Sequence, residues 1–343
     1  MVLFGAAHRD SEGSIIAQEG SLCAPLRMRP ESRPMLRYAL NRLLMMGPTL
    51  LGVATMVFVV LEVVPGDPVD VMLGESASPV DRAALRRDLG LDRPLVERYL
   101  GFVGGTLRGD LGESIRSGRP VIDAVAERLP ATFALAFASL ILALTLAIPA
   151  GVVAAAKSGS RLDRWLSTLS VLGAAIPNFW LGPMLIIVFA IGIGALPVSG
   201  ASSPAHLVLP AITLGASMSG FLMRLVRAAM LETLREDFVR TARAKGATEI
   251  RIVWRHALPA ALIPILSVAG LQLGGLLAGS LITETIFAWP GIGSLTIEAI
   301  HARDFPLLEG CVLVIAVAYV AVNLATDLAY AFVDPRIRYD DAR

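Results

Sequence analysis

The 343-residue chain is 55% hydrophobic and 17% charged, with a mean hydropathy of +0.66; soluble globular proteins sit near about 45–50% and about 25%. So much apolar surface excludes a water-soluble enzyme, and it excludes an intrinsically disordered chain, which needs low hydrophobicity and high net charge. Thirty basic against 29 acidic residues leave a formal net charge of +1, not the basic field that nucleic acid requires.

Residues 1–34 are rich in Arg, Glu, Ser and Pro and contain no apolar h-region, so they read as a disordered extension rather than a secretory signal. Met28 and Met35 are alternative starts. Six apolar runs follow, at Leu43–Val64, Ala131–Ala156, Leu166–Ile193, Leu207–Ala229, Ala261–Ile282 and Leu308–Val333. Each is long enough to cross a hydrocarbon core of about 30 Å. Pro149, Pro177, Pro183 and Pro210 interrupt them, which membrane helices tolerate when neighbours satisfy the freed carbonyls. The fifth run carries Gly270, Gly274, Gly275 and Gly279, two GxxxG spacings suited to close helix contact. The expectation is an all-α membrane protein. It has a first membrane helix at 35–65, a small helical cap at 66–130, a five-helix core at 131–333 and a tail at 334–343. Within the cap, Ser78 and Pro79 make a helix start and Gly90 a stop. A second helix is expected from Pro94 to about Gly104 and Gly105.

Lys and Arg fix the expected orientation. Nineteen lie in the N-terminal segment, the loops after the second and fourth runs, and the tail; the opposite short loops hold Arg303 alone. The positive-inside rule then puts both termini in the cytoplasm and residues 66–130 outside.

Catalytic machinery is missing from the sequence. The two lysines follow alanines, at Ala156-Lys157 and Ala244-Lys245, so neither completes G-x-x-x-x-G-K-[ST]. Cys23 and Cys311 are far apart, which excludes a disulfide framework and a cysteine zinc site. His8, His206, His256 and His301 avoid mid-span positions, and Gly215-Ala216-Ser217-Met218-Ser219-Gly220 misses the G-x-S-x-G spacing. No catalytic, cofactor or metal residue is assigned. Of the charges near the spans, Arg224 and Arg227 share a face and read as snorkelling to headgroups, while Asp327 calls for a partner. Glu62 and Glu284 lie near span ends. The mid-span polar groups Asn178, Ser217, Ser219, Ser267 and Gln272 suit a path for polar uncharged cargo and equally suit interhelical glue.

The segment 232–259 reads as helix, turn, helix. Arg240, Thr241, Ala242, Arg243, Ala244 and Lys245 end the first helix, with cations where the dipole favours them. Gly246 takes the left-handed position after it, Ala247 follows, and Thr248 caps the next helix with Glu249 in its first turn. The tip has little side-chain bulk, as a docking element requires.

From Gly246 to Leu258-Pro259 the spacing is similar to the EAA loop, E-A-A-x(3)-G-x(9)-I-x-L-P, of permease subunits of binding-protein-dependent ABC importers. Arg240-Thr241-Ala242 stands for E-A-A and His256 for the isoleucine, as in the peptide/nickel branch. Further matches are Pro65-Gly66-Asp67-Pro68, Gly109-Asp110-Leu111-Gly112-Glu113-Ser114, Arg128-Leu129-Pro130-Ala131-Thr132, Glu284-Thr285-Ile286-Phe287, Trp289-Pro290-Gly291-Ile292-Gly293 and Asp334-Pro335-Arg336-Ile337-Arg338. Together they cover about residues 35–339 and resemble the first permease of dipeptide/oligopeptide importers. The resemblance implies a type I importer permease in a bacterial inner membrane, forming half of a peptide path. Its implied partners are a second permease, two ATPases that bind ATP and Mg, and an extracytoplasmic binding protein. Glutathione or nickel-chelate cargo, and a stand-alone secondary carrier, stay open as alternatives; a carrier calls for inverted repeats and mid-membrane acids.

Overall fold

The computed structural model describes residues 33–63, 69, 73, 78–88 and 90–333. Residues 1–32, the Pro65–Pro68 motif and the tail 334–343 lie outside them. Among the described residues there is no strand, only an isolated bridge between Glu113 and Pro120. The helices are α1 (Arg33–Val63), α2 (Pro79–Asp88), α3 (Leu95–Leu107), α4 (Val121–Ala156), α5 (Arg161–Ala175), α6 (Asn178–Gly192), α7 (Ala205–Thr233), α8 (Asp237–Ala244), α9 (Glu249–Gly279), α10 (Leu281–Ile286), α11 (Ile292–Ala302) and α12 (Phe305–Val333).

Four of these, α4, α7, α9 and α12, are long and apolar enough to cross a bilayer. The third apolar run is not one helix. Ile176 is extended, as the residue before a proline prefers, and α5 and α6 meet there at 97°; taken together they would make a fifth crossing. In α1 the apolar stretch Leu44–Val60 is about 26 Å long. Pro149 and Pro210, in contrast, sit inside unbroken helices. The second crossing starts at Val121, ten residues before the apolar run, because α4 runs through Pro130.

Small residues set the packing. α4 and α7 run parallel, with Gly215 on the Ser139 carbonyl and Gly151 on Val226; a Cβ at either would lie 2.9 or 2.6 Å from those neighbours. α5 runs antiparallel to α7, with Gly220 against Ser170. Of the two GxxxG spacings only the first is used: Gly270 meets Thr326 and Gly274 the Tyr319 ring of α12, while Gly275 and Gly279 face open space. The bundle core is stacked in three storeys. Val226, Met230, Val253 and Ile265 fill the end near α8. Leu135, Leu214, Leu222 and Leu277 fill the middle. Val121, Ile292, Leu295 and Leu307 fill the opposite end.

Of the small helices, α2 keeps its expected start and stop, whereas α3 overruns its own. Ser78 accepts from the Asp81 amide at 3.2 Å as an N-cap, and Gly90 closes α2 at φ +65°. α3 runs to Leu107, past Gly104 and Gly105, and packs on α1 through Phe58, Tyr99 and Phe102. Glu62 pairs with Arg98 of α3.

Arg227 does not snorkel. Its Nε and Nη2 donate to Asp163 at 2.7 and 2.8 Å, and Asp163 also accepts from the Gly159 amide at 2.9 Å. Asp163 is 3% exposed, so removing it strands a guanidinium between α5 and α7. Asp163→Ala is therefore expected to destabilise the detergent-solubilised protein by about 3 kcal/mol, the low end for a broken buried pair because Arg227 retains some solvent. An unchanged unfolding midpoint would show that the pair contributes nothing.

Candidate functional site

The segment expected to dock a partner forms a closed structural unit. α8 ends at Ala244 with Lys245 as its C-cap, and Gly246 follows at φ +79°. The Gly246 amide donates to the Arg243 carbonyl at 2.9 Å and the Ala247 amide to the Ala242 carbonyl at 3.2 Å. This pair of bonds is a Schellman closure, which consumes carbonyls that a helix end otherwise leaves free. Arg243 then bridges the turn to Glu249, Nε to Oε1 at 2.9 Å and Nη2 to Oε2 at 3.3 Å. Thr248 occupies the N-cap position with extended backbone, but its hydroxyl makes no capping bond; the Arg243–Glu249 bridge ties the two helices instead. Val239 of α8 is fully buried, as are Ile252 and Ala257 of α9. Arg240, Thr241, Arg243, Ala244, Lys245 and Gly246 are exposed, and Ala242 and Ala247 half-buried. Phe238, Ile250 and Trp254 are large apolar side chains left uncovered in this charged element.

Beyond the turn, α9 widens into a π-helical stretch at Ile252–Ala257, where the Leu258 amide donates to the Val253 carbonyl five residues back. Pro259, which lacks an amide and would clash with the carbonyl four residues earlier in a regular helix, lies just past it. The Leu258-Pro259 pair thus marks a change of helical pitch where the loop joins the bundle. π turns are rare and concentrate at functional positions.

At the opposite end lies a second constellation, built around Glu284, one of the charges near a span end. Glu284, at 0% exposure, accepts from Thr132 Oγ1 at 3.0 Å and Ser280 Oγ at 2.9 Å through Oε1, and from the Ser294 amide at 2.9 Å through Oε2. Thr132 in turn accepts from the Ile292 amide at 2.8 Å, and Trp289 Nε1 donates to the Ala131 carbonyl at 2.8 Å. Gly291 and Gly293 press on this carboxylate; a Cβ at Gly291 would lie 2.3 Å from Glu284 Cδ. Ala288 is held at φ +47°. The carboxylate sits at the N-terminus of α11, where a negative charge is favoured, and fastens α10 and α11 to α4. A comparable clasp holds the 109–120 segment: Asp304, also buried, accepts from Ser114 Oγ at 2.6 Å and from the Ile115 and Arg116 amides at 3.2 Å.

The mid-span polar residues are not joined by hydrogen bonds to one another. Ser217 donates to the Leu214 carbonyl at 3.1 Å, Ser219 to Ala216 at 2.7 Å and Ser267 to Ile263 at 3.4 Å. Gln272 is half-buried on α9. Asn178 opens α6 just after the break, with its Oδ1 buried and unpartnered. Among the described residues, no group of three or more His, Cys, Asp or Glu side chains is placed to hold a metal.

The model of the binding-protein-dependent transport system inner membrane component matches residues 147–339, and that of its N-terminal region residues 35–136. The chain is 41% identical to a di/tripeptide transport system permease protein of Pseudomonas aeruginosa, covering 89% of this chain and 99% of the relative. It is 40% identical to the dipeptide transport system permease protein of Escherichia coli, again over 89% and 99%. It is 39% identical to the glutathione transport system permease protein of Escherichia coli, over 89% and 100%. Among solved structures, the inward-facing methionine ABC transporter MetNI superposes with a TM-score of 0.54 at 20% identity, covering 62% of this chain and 96% of that one. This likeness places the bundle in the same fold. The chain belongs to the family of inner membrane components of binding-protein-dependent transport systems and is a transport permease.

Proposed function

We propose that this chain is one permease half of an ABC importer that takes up di- or oligopeptides across a bacterial inner membrane. The observation that carries the reading is the closed, exposed tip from Asp237 to Glu249, in a chain whose sequence contains no phosphate-binding loop. Energy must then reach the bundle from a partner, and this tip is the element built to receive it. Arg240, Thr241, Ala242, Arg243, Ala244, Lys245, Gly246 and Ala247 form the docking surface, and Leu258 and Pro259 form the junction that passes its movement into α9. The partners in this reading are a second permease, two ATPases carrying ATP and Mg, and a binding protein outside; the chain itself holds no cofactor. Peptide cargo is favoured by the dipeptide relatives at 40–41% identity, and glutathione is the second cargo reading because relatives of that name match at 39% over the same share of the chain. Asn178, Ser217, Ser267 and Gln272 are proposed to line the path. A complex purified through a tag on this chain should hydrolyse ATP faster when binding protein and dipeptide are added. Uptake by the chain alone, driven by an ion gradient, would overturn the reading in favour of a secondary carrier.

The proposed topology has six crossings, both termini in the cytoplasm and residues 66–130 outside, from the nineteen-to-one bias in Lys and Arg. Ser117 and Ser158 are both exposed and Cys311 is buried. With Cys23 replaced by Ser, an impermeant thiol reagent applied to intact cells should label Ser117→Cys and spare Ser158→Cys. The reverse pattern would invert the topology.

A further inference from the structure

α5 is divided lengthwise. One face carries Asp163, Ser167 and Ser170 toward α7, where Asp163 is consumed by Arg227 and the Gly159 amide. The other face is an uncovered stripe at helical spacing: Arg161, Arg164, Trp165, Thr168, Leu169 and Leu172. Arg161 and Arg164 have no acidic partner among the described residues, because the carboxylate between them in sequence faces the other way. With Trp165 and Thr168 they line an open cleft of about 410 Å³. Trp165 is 74% exposed, and Leu169 and Leu172 continue the stripe at 65% and 56%.

From Arg161 to Leu172 the stripe runs about 17 Å along the helix and passes from paired cations, through an indole, to aliphatic side chains. That order is the polarity profile of one leaflet: phosphate, interface, hydrocarbon. Guanidinium forks bind phosphate oxygens in a planar, bidentate fashion, and an exposed indole suits the headgroup level. A zwitterionic headgroup brings its own ammonium to compete with the guanidinium groups, whereas a net anion does not. We infer that Arg161, Arg164, Trp165 and Thr168 form a headgroup site for an anionic phospholipid, whose acyl chain lies along Leu169 and Leu172. The charge complementarity of two unpaired guanidinium groups above an apolar stripe favours this occupant over a protein partner.

The inference is independent of cargo, and in a symmetric nanodisc it is independent of orientation. The complex recovered through this chain is placed in phosphatidylcholine nanodiscs. These contain equal mole fractions of either bromo-acyl phosphatidylglycerol or bromo-acyl phosphatidylcholine. Trp165 emission is taken as the difference between wild type and Trp165→Phe, which cancels Trp180, Trp254 and Trp289. Brominated phosphatidylglycerol is expected to quench Trp165 with roughly fivefold preference or more, on the scale of one basic side chain at an anionic surface. In Arg161→Gln/Arg164→Gln the preference should fall to about one. Equal quenching by the two lipids in wild type overturns the anionic site, and retained preference in the double variant overturns its assignment to these arginines. Absence of quenching by either lipid overturns a lipid occupant and shows that protein covers the stripe. Failure of the importer reading would be seen earlier, as a purification without ATPases, and the quenching comparison then applies to the chain alone.

Discussion

Glu284→Ala is expected to remove most of the protein from the membrane. The substitution leaves the Thr132 hydroxyl, the Ser280 hydroxyl and the Ser294 amide without their acceptor in a site with no solvent access. Each buried unsatisfied donor costs about 1–3 kcal/mol, so the loss is about 3 kcal/mol or more, against a total stability of roughly 5–15 kcal/mol for typical domains. The cavity left against Gly291 and Gly293 adds to it. Glu284→Gln keeps the shape and one acceptor oxygen but turns an amide toward donors, so its accumulation should be intermediate. Gly291→Ala tests the same hub from the other side, since its Cβ would overlap the carboxylate and needs backbone movement. Membrane level and unfolding midpoint in detergent measure all three. Wild-type values for Glu284→Ala would show that the carboxylate holds nothing together.

How legible each feature was in the sequence follows the range of the interactions that create it. Apolar runs were readable because burial in lipid depends on each segment's own composition. The tip at Gly246 was readable because a Schellman closure involves six consecutive residues and one permissive backbone position. Gly90 was readable for the same reason. Proline was not resolvable by identity alone: Pro149 and Pro210 lie inside intact helices, while Pro177 follows an extended Ile176 and starts a new helix at 97°. The two GxxxG spacings have equal sequence claims, yet only Gly270 and Gly274 face α12. Arg227 read as a snorkelling cation because its partner, Asp163, lies 64 residues away. Glu284 was visible as a charge near a span end, but its role depends on Thr132, 152 residues earlier. The Glu284 and Trp289-Pro290-Gly291 strings carried a signal in their paired glycines, since close approach of a bulky acid requires missing side chains. The π turn at Ile252–Ala257 was foreshadowed only by a proline placed inside a helix.

Gly246→Val separates coupling from folding. At φ +79° a β-branched residue is strained, with a cost of about 1–2 kcal/mol or more for the left-handed region. Nothing within the chain lies within 4 Å of an added Cβ, so the bundle is not overpacked. The cost falls on the Schellman closure, and with it on the position of Ala247 and on the Arg243–Glu249 bridge. The variant is therefore expected to reach the membrane at the normal level but to lose ATPase co-purification and uptake. Gly246→Asn tells strain from bulk, because asparagine enters the left-handed region far more readily than valine. If the tip only needs its backbone geometry, Asn restores most uptake. If a partner groove closes tightly over position 246, Asn fails as Val does, although its loop is intact. Uptake of dipeptide and retention of the ATPases, compared at matched membrane levels, give the result. Wild-type uptake in Gly246→Val would remove this tip from the coupling path and leave the energy input to be sought elsewhere on the chain.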